Sequence, residues 1–246
     1  MQGLVQDPKG NSKIGVVNCA IAHETFRVLG AAPKYCPGWP TISVGDMAYG
    51  GVGWMKRAFE DVDLPWVLGG YVPDDLREYA PSFEIQDVDA ARKRFDVFLK
   101  PVPERQKAFP GFVATRENRA ETLINLVNYK GNVIVIDRVD YASEWRYFVH
   151  WGEIIGASHY KGNFRTTPAW DIADKIAKQH KSTLPSWSFD LGVLAGENIT
   201  SLLEVHQVFT LGLYGLSVEK CCLLFRDTWE QLWNMRAAKI EEKKKK

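Results

Sequence analysis

The sequence predicts an α+β chain built mostly from antiparallel hairpins. Three observations carry this: strands come in pairs from residue 144 onward, single helices separate the pairs, and no regular strand-helix-strand alternation runs through the second part. The 246 residues, 46% hydrophobic and 25% charged, can bury a substantial core and lie far from the composition of disordered chains. We expect a smaller α/β domain over residues 1–90, a larger α+β domain over 91–240 and a charged tail, EEKKKK, over 241–246.

In the first part, IGVVNCAIA (14–22) and PWVLGGYV (65–72) read as buried strands, and GDMAYGGVGWMKRAFEDV (45–62) as a helix following its glycines. In the second, DVFLKP (96–101) is a strand stopped by proline and GFVAT (111–115) another. ENRAETLINLVNYKG (117–131) is a helix with Leu123, Leu126 and Val127 inward and Gly131 at its end. NVIVIDRV (132–139) is a strand, and EWRYFVHW-GE-IIGASHYK (144–161) a hairpin turning at Gly152 and Glu153. A helix over 168–180 begins with proline; WSFDLGVL (187–194) and ITSLLEVH (199–206) pair as a second hairpin; 218–239 is the closing helix.

Several function classes lack support. A net charge of +1 gives no global reason to expect nucleic acid or an anionic membrane as partner. Four cysteines without zinc-ligand spacing argue against a disulfide framework or a zinc site, and no apolar stretch is long enough to span a bilayer. The default compartment is therefore reducing and cytoplasmic.

The first hairpin, if its loop is Gly152-Glu153, pairs Trp151 with Ile154, Arg146 with His159 and Glu144 with Lys161. Glu144, Arg146, His159 and Lys161 then share one face, opposite a core face of Trp145, Tyr147, Val149 and Trp151. On the hairpin alone, a solvated face with two ion pairs accounts for these residues. In the second hairpin a three-residue loop, Gly196-Glu197-Asn198, brings Asp190 opposite Glu204 and Ser188 opposite His206. Facing carboxylates repel unless a cation lies between them, and oxygen ligands suit magnesium completed by substrate phosphates. A loop of even length instead leaves the two acids on opposite faces.

Lys100 ends a strand, and ERQKAFPG (104–111) places Lys107 in a glycine-bearing loop that would suit a lid over phosphates. Cations at Lys100, Lys107 and Arg146 with the pair Asp190 and Glu204 make a nucleotide and metal plan. No phosphate loop of the Gly-Lys-Ser/Thr type competes with it, because GGVGW (50–54) lacks that ending.

The series FLKP, KAFPG, VIVIDRV, EWRYFVHWGEIIGASHY, SFDLGVL and LLEVHQVFTLGLYGL, in that order over roughly residues 90–235, resembles the ATP-grasp fold, specifically the small ATP-grasp proteins of bacteria and bacteriophages. The resemblance implies two α+β subdomains sandwiching ATP, with the first 90 residues as a preceding domain that walls the acceptor site. It implies that Lys100 and Lys107 meet nucleotide phosphates, that backbone near Asp137, Arg138 and Val139 meets the adenine edge, and that Arg146 meets the γ-phosphate as a catalytic group beside Lys107. Asp190 and Glu204 match the magnesium-binding acids. His206 stands where the family has asparagine, which puts the second metal position in question and favours manganese as an alternative; Lys161 stands in for a cation otherwise expected near His159.

The implied activity is ATP- and Mg-dependent ligation of a carboxylate to an amine, less often a thiol, through an acyl-phosphate. The partners are a carboxylate-bearing and an amine-bearing small molecule, peptide or protein, with neither nucleic acid nor membrane. The alternative, raised by His206, is a degenerate ATP-grasp domain that binds nucleotide or a protein without turnover.

Overall fold

The computed structural model describes residues 1–8, 15–67 and 69–245. Its first layer is a parallel sheet of β1 (Gln2–Gln6), β2 (Ala32–Cys36) and β3 (Met47–Tyr49), in the order β2-β1-β3. Helix α1 (Val16–Val28) connects β1 to β2, as parallel strands require, and α2 (Val52–Asp61) follows β3 after the two glycines, as the sequence indicated. The run over 14–22, expected as a strand, is the start of α1, with Ile14 outside the described residues. Its buried side chains are Cys19, Ala22, Thr25 and Phe26, a helical spacing, while Val16 and Val17 are exposed. The run 65–72 is not a strand either. Leu68 lies outside the described residues; among those described, Gly70 has φ +74° and only Tyr71 makes a bridge, to Val205.

The second layer is antiparallel: β4 (Phe83–Asp87), β5 (Val97–Pro101), β6 (Phe112–Ala114) and β7 (Asn132–Asp137), in the order β4-β7-β5-β6. Helices α3 (Val88–Ala91) and α4 (Arg119–Leu126) cover one face, where Val97, Leu99, Val133 and Val135 pack with Leu126 and Tyr129. The division expected at 90/91 lies within α3, whose neighbour β4 pairs with β7. Helix α4 is also shorter than its apolar spacing predicts. Leu126 is wholly buried, but Leu123 is 44% and Val127 67% exposed. Leu126→Ala is therefore expected to cost about 2–5 kcal/mol, and Leu123→Ala no more than about 0.5 kcal/mol, in denaturant-induced unfolding.

The third layer is the antiparallel sheet β11-β10-β8-β9, made from β8 (Tyr141–His150), β9 (Glu153–Gly162), β10 (Ser186–Leu194) and β11 (Thr200–Gln207). Helix α5 (Trp170–Gln179) packs on one face against Tyr147, Phe189 and Leu191. The other face points toward the first layer through Phe148 and the site described below. Helix α6 (Val218–Lys244) returns to the first layer, where Phe225 meets Phe26 and Tyr49, and Trp229 meets Phe59. The charged end of α6 is helical to Lys244, with Lys239 and Lys243 on Asp63.

Both hairpins form, with registers set by bulges. The β8–β9 turn is Trp151-Gly152, with φ +49° and +80°, so His150, not Trp151, closes the ladder. Trp151 is 68% exposed at the tip and does not join the core. Glu144 stays opposite Lys161, but a bulge leaves Tyr160 unpaired and moves His159 beside Trp145, so Arg146 faces Ser158. In β10–β11, Asp190 is opposite Glu204 and Ser188 opposite His206, as expected. The cause differs from the expected three-residue loop. Leu194 N–H donates to Ile199 across four loop residues, and the odd residue is a bulge at Leu203, between the pairs Leu191–Leu202 and Asp190–Glu204.

Candidate active site

A cavity of about 390 Å³ opens between the second and third layers. The second layer contributes Lys100 from the end of β5, Ile134 and Ile136 from β7, and Lys107 from the loop between β5 and β6; the third contributes Tyr160 and Glu204. Lys100 is on the cavity face because it pairs with Ile134, two residues from Phe98 on the same side of the strand. Lys107 holds φ +65°, an uncommon conformation for a residue with a side chain.

Behind Tyr160 and Glu204, the four strands of the third layer converge on one cluster. Arg146 donates from Nε to Asp190 Oδ1 and from Nη2 to Asp190 Oδ2, both at 2.7 Å, and Tyr160 Oη donates to Oδ2 at 3.1 Å. Arg146 Nη1 also donates to the Gly212 carbonyl at 3.3 Å. His206 Nε2 lies 3.1 Å from Glu204 Oε1, 3.4 Å from Asp190 Oδ2 and 3.0 Å from Arg146 Nη2. Lys100 Nζ is 3.9 Å from Glu204 Oε2. Arg146 and Asp190 are almost wholly buried, whereas Glu204 is partly open to the cavity.

Electrostatics maintain both acids as carboxylates. Burial pushes the Asp190 carboxyl up, but the Arg146 guanidinium and His206 outweigh it and hold it below the usual range. For Glu204, burial is likewise outweighed, by His206, Lys100 and Lys107, and the carboxyl is held far below its ordinary value. Burial lowers His206, yet Glu204 and Asp190 raise it overall, against the opposing charge of Arg146.

The residues expected from sequence fall into three sets. Arg146, Asp190, Glu204 and His206 meet in the cluster; Lys100 and Lys107 border the cavity. Asp137, Val139 and Lys161 line its rim, where Lys161 pairs with Glu144 and the Asp137 side chain turns outward to Arg94. Arg138 does not border the cavity and pairs with Asp140.

Sequence reading missed the residues that hold Arg146. Tyr160 and Tyr214 stack at 5.2 Å, and their ring centres lie 5.8 and 5.0 Å from the guanidinium carbon. The segment bearing Tyr214 is fixed from the first layer: Asn18 Oδ1 accepts from Leu213 and Tyr214 N–H, and Tyr49 Oη donates to the Leu211 carbonyl. An alternating register placed Tyr160 opposite Trp145 on the core face, so only knowledge of the bulge could have revealed it.

The donor atoms of Asp190, Glu204 and His206 all lie within 4.8 Å of one another. Two carboxylates fit magnesium, and the imidazole adds a nitrogen that suits manganese better. Among the described residues no helix is long and apolar enough to cross a membrane.

A family model for an ATP-grasp domain, the second family of its clade, matches residues 82–223. Among solved structures, a D-cycloserine synthetase, DcsG, is similar at 14% identity and a TM-score of 0.59, over 94% of this chain and 99% of that one. The D-alanine-D-alanine ligase from Coxiella burnetii is similar at 13% identity and 0.54, over 99% and 97%. That from Bacillus anthracis gives 11% and 0.52, over 99% of each chain. At these identities the likeness is one of fold. No curated protein matches the chain.

Proposed function

Because this chain belongs to the ATP-grasp domain family, we propose that it is an ATP- and Mg-dependent carboxylate–amine ligase that forms an amide bond. The observation that carries the proposal is the convergence of Asp190, Glu204 and His206 with Lys100, Lys107 and Arg146 beside one cavity between two sheets. The preceding layer of β1–β3 has its own place in this scheme. Through Asn18 and Tyr49 it positions the Leu211–Tyr214 segment over Arg146, so the acceptor would enter from that side.

In the proposed reaction a substrate carboxylate oxygen attacks the γ-phosphorus of ATP and ADP leaves, giving an acyl-phosphate. An amine then attacks the acyl carbon, phosphate leaves with the bonding pair, and the nitrogen loses a proton to give the amide. Lys100 and Lys107 neutralise phosphate charge from the second layer, and Arg146 does so from the third. Asp190, Glu204 and His206 would hold the metal, which when bound supplies charge neutralisation at the phosphate oxygens. Catalysis of this kind is mostly positioning and electrostatics, so no nucleophilic side chain is needed.

The test is ADP formation from ATP and magnesium with a mixed pool of amino acids and peptides. ADP release that depends on the pool and is lost in Asp190→Asn supports a ligase. Nucleotide-dependent thermal stabilisation without turnover supports the binding-module alternative, and no stabilisation at all removes the nucleotide reading.

A further inference from the structure

Without ligand, Asp190 is already occupied. Arg146 takes both of its oxygens at 2.7 Å, Tyr160 adds a third hydrogen bond, and His206 stands 3.4 Å from the same Oδ2. A carboxylate has about four lone-pair directions, so little of Asp190 is left for an ion. His206 meanwhile fills the gap toward Glu204 at 3.1 Å.

An arriving divalent ion must therefore displace Arg146. Arg146 is 5% exposed, and besides Asp190 its guanidinium has the Gly212 carbonyl, the ring nitrogen of His206 and the faces of Tyr160 and Tyr214. None of these neutralises a permanent positive charge, and arginine does not deprotonate. A bare metal ion would thus leave a buried cation without a counter-ion, beside a second cation. A nucleotide changes this, because its phosphate oxygens accept the same two-pronged donation that Asp190 accepts.

We infer that Arg146 is a placeholder cation, which holds Asp190 until a nucleotide phosphate takes over the guanidinium, so that divalent metal and nucleotide enter with strong positive cooperativity and the metal alone scarcely binds. The inference rests on the nucleotide site proposed above. It assigns Arg146 a positioning role before any chemistry. Linkage makes the effect reciprocal: the metal strengthens nucleotide binding by the same factor that the nucleotide strengthens metal binding.

The experiment is a Mn²⁺ titration of the full chain followed by electron paramagnetic resonance, with Mn²⁺ alone and with a saturating non-hydrolysable ATP analogue. The association of Mn²⁺ with the analogue in solution is measured separately and subtracted. Mn²⁺ alone is expected to bind at least about 10-fold more weakly than Mn²⁺ with the analogue. Arg146→Lys keeps the charge but loses the two-pronged grip, and Arg146→Gln removes the charge altogether. Each is expected to tighten binding of Mn²⁺ alone by about 5-fold or more, with circular dichroism confirming the fold. Where neither variant folds, the wild-type comparison of Mn²⁺ with and without the analogue decides. Wild-type binding of Mn²⁺ alone within about 3-fold of that with the analogue, the analogue still binding, overturns the coupling and leaves the ligase reading intact. Unchanged binding of Mn²⁺ alone in the folded variants also overturns it. Failure of the analogue to bind with Mn²⁺ present overturns the ligase reading and this inference together.

Discussion

Asp190→Ala is expected to destabilise the protein by about 3–5 kcal/mol, because it leaves the Arg146 guanidinium buried without its counter-ion. The pair meets at 2.7 Å on both prongs, with side chains 7% and 2% exposed, so water cannot replace the lost partner. Against a typical total of about 5–15 kcal/mol this is a large share, and an unfolding curve in urea would show a lower midpoint. Arg146→Ala should cost a similar amount for the complementary reason. Replacing both with leucine should cost much less than the two singles added together, since the expense lies in the unpaired charge and not in the absence of the pair. Additive losses would mean that the two side chains do not meet in solution.

Glu204→Gln should behave in the opposite way, with turnover falling about 10²–10³-fold and stability moving by no more than about 1 kcal/mol. Glu204 is 29% exposed and faces the cavity, so its charge can be removed without burying an orphan; Lys100 loses a partner but borders the cavity, and His206 still has Asp190 at 3.4 Å. The same substitution removes one of the two carboxylates available to a metal. Steady-state ADP release and thermal melting of the same preparation separate the two effects. A fall in melting temperature as large as that of Asp190→Ala, with turnover intact, would make Glu204 a structural residue.

The site was legible in the sequence where side-chain alternation and turn chemistry act over short distances. The two hairpins follow from such local rules, whereas the pairing of Asp190 with Glu204, expected from a three-residue loop, is set by the bulge at Leu203. The first layer was less legible because its strands are short and its apolar run over 16–22, broken by Asn18, suits strand and helix equally until the buried positions are known. Strand β1, QGLVQ, carries only two β-branched or bulky apolar residues and so gave no signal of its own. Bulges were invisible because they change a register without changing composition. Tyr160 was lost for that reason, and Trp151 was assigned to a core that the hairpin ends one residue short of reaching.

The extra residue at Leu203 makes the reading frame of β11 part of how the candidate site is built. Continued past Leu202 without the bulge, the ladder would put Leu203 opposite Asp190 and Glu204 opposite Phe189, sending Glu204 and His206 toward α5. No acid would need to be substituted for the metal set to vanish. In a deletion scan along Thr200–Gln207, removal of Leu203 should therefore leave Glu204 facing Asp190, whereas removal of Val205 should put His206 opposite Phe189 and take it out of the metal set.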